Sequence, residues 1–158
     1  MASNHASFLD PMLLGVASSR ILNFAARDSL FKNMFFGRLI FNVGAFPIKR
    51  SSSDLSAIRE SVKRLRGNYG LVVFPEGTRS PDGQLQSQKR GFVMLAVKAG
   101  VPIVPAKIIG SYRAWGKKSR MIKPAKIKVI FGEPLYLDNK PDYNRIAQSV
   151  FAKIKLLC

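Results

Sequence analysis

The stretch "GLVVFPEGTRS", Gly70–Ser80, decides the fold. Leu71 to Phe74 form a continuous apolar run of strand length, the pattern of a strand buried on both faces. Pro75 has no N–H to give a ladder, so the strand stops there. A polar loop follows: Glu76, Gly77, Thr78, Arg79 and Ser80. Gly77 permits backbone angles that other residues avoid. Arg79 offers a planar fork that fits phosphate or carboxylate. Glu76 can hold a hydroxyl or pair with an arginine. The loop lacks the Gly-Lys-Ser/Thr ending of a nucleotide-binding phosphate loop. Taken alone, it is equally consistent with an ordinary polar turn.

Helical patterns flank this strand. Upstream, "SSDLSAIRESVKRLRG" places Leu55, Ile58, Val62 and Leu65 on one face, with Ser53 as its cap and Gly67 as its stop. Downstream, "KRGFVMLAVKAG" is a buried-type helix that ends at Gly100. Further strands are expected at "ILNFAA" (21–26), "AFPIK", "VPIVPAKII" and "KIKVIFG". Helices are expected from Asp10, capped by that residue with Pro11 in the first turn, and again from the Asp28 cap to Gly44. A last amphipathic helix, "KPDYNRIAQSVFAKIKLLC", turns Ile146, Val150, Ile154 and Leu157 inward. Residues 110–126, "GSYRAWGKKSRMIKPAK", are expected to be loop. Strands alternate with helices throughout. The expectation is one α/β domain over residues 1–158, with a central, largely parallel sheet flanked by helices. In such sheets, sites gather at the carboxyl ends of strands, where "PEGTRS" lies.

Composition narrows the partners. With 26 Lys+Arg against 9 Asp+Glu, the 158-residue chain has a net charge of +17. Such a surface expects nucleic acid, an anionic membrane or a phosphorylated metabolite. One Cys and one His exclude an intrachain disulfide and argue against a zinc site, so no metal is expected. No segment reaches the ~20 apolar residues of a spanning helix, and the best candidate is broken by Lys32 and Arg38.

The only histidine, His5, lies in "NHASFLD" with Asp10 five residues on. At about 100° per residue they cannot share a helix face. They meet only if His5 sits in a loop curling over the helix start. The carboxylate would then fix one ring nitrogen and leave the other free as a general base. From this stretch alone, Asp10 can equally be a plain helix cap and His5 a tail residue.

Four stretches in order settle that choice. "NHASFLD" resembles the His-x4-Asp motif (5–10) of the glycerolipid acyltransferase family. "GAFPIKR" (44–50) is similar to its second motif, "FPEGTRS" (74–80) to its third, and "VPIVP" (101–105) to its fourth. The subgroup it most resembles is that of bacterial 1-acyl-glycerol-3-phosphate acyltransferases. The resemblance implies that His5, oriented by Asp10, deprotonates the free hydroxyl of a lysophospholipid. The oxygen then attacks the thioester of acyl-CoA or acyl-carrier protein, with no cofactor. It places the acceptor phosphate on Arg27 and Arg79, with Arg50 a further candidate. Glu76, Gly77 and Thr78 shape that acceptor site, and the fourth motif lines the acyl side or supports the sheet. It also implies a peripheral protein on the cytoplasmic face of the inner membrane.

The basic run 111–128, interleaved with Tyr112, Trp115 and Met121, suits an anionic bilayer surface. The apolar segment around Phe31, Met34 and Phe35 could touch lipid or line an acyl groove, or simply pack in the core. Other readings are an acyltransferase with another lysolipid or amino-acid lipid acceptor, a truncated inactive member, and a basic nucleic-acid-binding module. Only four residues precede His5, so the strand expected to hold it would be missing.

Overall fold

A computed structural model describes residues 1–48, 55–138 and 141–158, with the backbone alone at Arg27 and Phe36. Arg50 and the Ser53 cap lie outside the described residues.

Among the described residues, six strands and six α-helices alternate. They are β1 (Ala2–Ser3), α1 (Asp10–Ala17), β2 (Leu22–Arg27), α2 (Met34–Asn42), β3 (Ala45–Ile48) and α3 (Leu55–Arg66). They continue as β4 (Gly70–Val72), α4 (Gly91–Ala99), β5 (Pro105–Ile109), α5 (Ser111–Trp115), β6 (Lys128–Phe131) and α6 (Tyr143–Leu156). Two three-stranded ladders form, β3-β2-β4 and β1-β5-β6. A parallel bridge between Ala2 and Val73 joins them. The layers therefore run β3-β2-β4-β1-β5-β6. Among the described residues, the named strands pair in parallel except β5 with β6, which is antiparallel at the edge. The parallel α/β expectation holds.

The strand in front of His5 is present, contrary to the expectation from sequence. It is only two residues long, too short for any periodic signal. Its neighbours supply what it lacks in length. Ala2 N–H donates to Val104 O at 2.9 Å, Ser3 N–H to Val73 O at 3.1 Å, and Val73 N–H to Met1 O at 2.9 Å. The fourth motif thus serves the sheet: Val104 and Pro105 hold the strand that leads into His5.

Apolar side chains cover both sheet faces. Leu14 of α1 packs with Leu22, Phe24, Val72, Ala106 and Ile108 on one side. On the other side, Val93 and Ala96 of α4 meet Val150 and Ile154 of α6. Burying one such Val or Ile side chain contributes roughly 1.5–3 kcal/mol. Arg64 fixes α3 to the sheet edge: it bonds Asn23 of β2, reaches Glu60 at 2.7 Å and stacks over Phe46 at 4.5 Å.

Three local expectations are corrected. The helix expected from Asp28 is a 3-10 turn, Asp28–Phe31, followed by a separate α2. The chain doubles back there, and a Cβ at Gly37 would stand 2.9 Å from Phe31 O, so only glycine fits the close approach. Within the stretch expected to be loop, Ser111–Trp115 form a helical turn. Finally, the cap of α1 is Leu9, and Asp10 is its first residue.

Candidate active site

Sheet topology brings two loops together. β1 ends into residues 4–9, and β4 ends into residues 73–80. Because β1 and β4 are neighbours, His5 and the "FPEGTRS" loop share the carboxyl edge of the sheet.

Asp10 organises the first loop. It is fully buried, and its Oδ2 accepts from Ala6 N–H at 2.6 Å and Ser7 N–H at 2.7 Å. The same oxygen lies 2.9 Å from His5 Nδ1. A carboxylate oxygen already accepting two N–H groups calls for a third donor, so the proton sits on Nδ1. The Asp10 side chain thus serves the loop in front of the helix rather than the N–H groups of α1. His5 Nε2 is the remaining lone pair, and among the described residues no group bonds it. The His5 side chain is 17% exposed, so Nε2 can meet a substrate.

The second loop clamps the imidazole from below. Phe74 stacks on the His5 ring with centroids 4.0 Å apart and planes 17° apart. His5 O accepts from Ser80 N–H at 2.7 Å. Glu76 is buried, and both of its carboxylate oxygens are engaged by main chain. Its Oε1 accepts from His5 N–H at 2.8 Å and its Oε2 from Gln86 N–H at 2.9 Å. Burial pushes its carboxyl above the ordinary value, while the two N–H bonds pull the other way and lose. A buried carboxylate held by two backbone donors fixes main chain. Glu76 therefore positions the His5 main chain.

The other predicted residues fall as follows. Gly77 takes a positive φ of 70° in the turn closed by its own N–H to Phe74 O. Thr78 is exposed beside it. The Arg79 guanidinium lies 3.4 Å over the Phe8 ring, and Phe8 in turn packs on Trp115 at 4.9 Å. Arg27 ends β2 with its backbone paired to Ile48. The structure thus joins His5, Asp10, Glu76 and Arg79 in one site. Arg50 and the Arg27 side chain fall outside the described residues.

Sequence reasoning missed Phe74, Ser7 and Trp115. Ser7 Oγ donates to Trp115 O at 2.8 Å and takes Leu9 N–H at 3.1 Å, tying α5 to the His5 loop. Phe74 opens the third motif, so its place beside a catalytic loop was the available signal. Nothing local marked Ser7 or Trp115. Tyr112 and Trp115 are both partly buried, with Tyr112 Oη donating to Pro81 O at 2.9 Å.

A buried carboxylate, an oriented imidazole and an arginine at one sheet edge can deprotonate a hydroxyl beside an anionic group. Known proteins carry the same arrangement of chain. A family model described as acyltransferase matches residues 1–109. The chain belongs to the acyltransferase family. Among members of that family, a 1-acyl-sn-glycerol-3-phosphate acyltransferase of Bacillus subtilis is 33% identical over 138 residues, covering 86% of this chain and 66% of that relative. One from Cocos nucifera is 34% identical over 139 residues, covering 86% of this chain and 45% of that relative. The crystal structure of PlsC, the 1-acyl-sn-glycerophosphate acyltransferase of Thermotoga maritima, superposes with a TM-score of 0.85 at 29% identity. That match covers 98% of this chain and 62% of PlsC. The chain thus spans between 45% and 66% of the length of these acyltransferases.

Proposed function

We propose that this chain transfers a fatty acyl group from acyl-CoA or acyl-carrier protein to the free hydroxyl of 1-acyl-glycerol-3-phosphate, giving phosphatidic acid. The observation that carries this reading is the His5 ring, held at Nδ1 by the buried Asp10 with Nε2 left to substrate. Nε2 takes the hydroxyl proton as the oxygen attacks the thioester carbonyl. Asp10 balances the imidazolium that forms. The tetrahedral intermediate collapses, the C–S bond breaks, and the proton passes from Nε2 to the departing thiolate. No acyl-enzyme and no cofactor enter. Arg79, three residues from Glu76 and stacked on Phe8, is the candidate partner of the acceptor phosphate. The names of the relatives support the acceptor class.

The surface suits a peripheral protein at an anionic bilayer. Met34, Phe35, Leu39 and Phe41 of α2 stand exposed, as do Met121 and Ile122 in the lysine-rich loop after α5. Basic side chains near anionic lipid contribute about 1 kcal/mol each, and apolar tips between them can enter the interface. Among the described residues no helix is long and apolar enough to cross a membrane.

The test is thiol release with lysophosphatidic acid and an acyl-CoA. His5→Ala is expected to abolish turnover with an unchanged melting temperature. Full activity in that variant would defeat the mechanism.

A further inference from the structure

Away from the catalytic edge, α3 and α4 leave an open groove of about 770 Å³ between them. Its apolar lining comes from Leu55, Ile58 and Val62 of α3 and Met94 of α4. Leu55, Ile58 and Val62 follow the a, d, a spacing of a coiled-coil seam, yet Leu55 is 64% exposed. Among the described residues, the charged side chains that rim this seam are all basic: Arg59, Lys63, Arg66 and Lys98. The acid of α3, Glu60, is engaged by Arg64. Arg59 and Arg66 are one heptad apart on α3, in the positions that select opposite charges on a docked helix.

Shape and charge together narrow the occupant. A bilayer is flat and would favour protruding apolar side chains, whereas this surface is concave. A single fatty acid has one carboxylate for four cations strung along the groove. Three of those cations, Arg59 to Arg66, span about 10 Å of α3 at 1.5 Å per residue. An amphipathic helix with acidic residues on both flanks satisfies both the apolar seam and the spread of charge. The groove also points to the chemistry. α3 runs back against β4, so its Leu55 end lies at the carboxyl edge of the sheet, where α4 begins after the Glu76 loop.

We infer that the α3–α4 groove docks the acidic helix of a protein that carries the acyl group, delivering its thioester arm to the edge where His5 lies. This rests on the proposed acyl transfer and adds the partner surface for its donor. The apolar seam gives affinity, and the basic rim gives orientation and on-rate.

The experiment compares two donors on one acceptor, acyl-carrier protein and the same acyl group on CoA, for wild type and the double variant Arg59→Glu/Lys63→Glu. Neither residue touches the catalytic site. The KM for the carrier-borne donor is expected to rise about tenfold or more, as for reversal of interface charges, while the CoA reaction and the melting temperature stay put. Equal kinetics in both proteins would overturn the docking site. So would an equal loss with both donors, or a variant that loses only its binding to anionic vesicles. Wild-type turnover with CoA but none with carrier protein would also overturn it, while leaving the acyl transfer itself intact. No turnover with either donor would sink the acyl transfer, and the docking inference with it.

Discussion

The loop that holds His5 and the helix α2 stand in contrast. In the first, polar groups are spent on holding one another: Asp10 takes three donors on one oxygen, Glu76 takes two N–H groups, and Ser7 bridges to Trp115. In the second, Phe35 is 83% exposed and Met34 75% exposed. One region is built to fix geometry, the other to meet something. Substitutions in the first should strike turnover, and substitutions in the second should strike association.

The sharpest way to break that contrast is Asp10→Asn. It keeps the shape but presents an amide where three donors converge. Turnover is expected to fall roughly 100- to 10,000-fold, the range for losing an oriented acid–base group, with acceptor KM changed much less. Single-turnover kinetics would check it, and near-normal turnover would mean that Asp10 only builds the loop.

Glu76→Gln is a milder test, because the amide can accept from one of the two N–H groups but not both. A buried donor left unsatisfied costs about 1–3 kcal/mol, so a stability loss and a modest fall in kcat are expected at nearly constant acceptor KM. A large rise in KM instead would put Glu76 on the acceptor. Its pH behaviour separates the two further. Burial raises the native carboxyl above its unfolded value, so the native state binds more protons in the window just above the ordinary carboxylate pKa. Stability therefore falls as pH rises through that window, and Glu76→Gln should flatten the slope in chemical denaturation.

Phe35→Ser should have the smallest effect on the protein itself. Stability should shift by no more than about 0.5 kcal/mol, as for other surface changes. Vesicle binding should weaken by co-sedimentation, while turnover of a short-chain soluble acceptor stays unchanged. Equal vesicle binding would remove α2 from the bilayer face.

Much of the framework was legible because it rests on local rules. The apolar run at Leu71–Val72 became a buried strand. The last amphipathic pattern became α6, with Val150 and Ile154 fully buried. Gly100 ends α4 with a φ of 69°. What failed was short or bent. The two residues of β1 carry no period, and α5 is a single turn held by Ser7 and Tyr112 from elsewhere in the chain. The Leu55–Ile58–Val62 stripe shares one helix face, as its spacing implies, and it lines an open groove. Periodicity says that a face is apolar, not what covers it.

The sequence by itself determined the alternation of strands and helices and the excess of positive charge, which follow from hydrophobic period and composition, while the pairing of His5 with Asp10 was implied by the resemblance of four motifs in order. Only the tertiary structure decided that Glu76 holds the His5 backbone, that Phe74 lies under the imidazole and that the fourth motif fixes the strand before it. Each is a contact across neighbouring strands far apart in the chain, set by strand order, and strand order leaves no mark on any local stretch of residues.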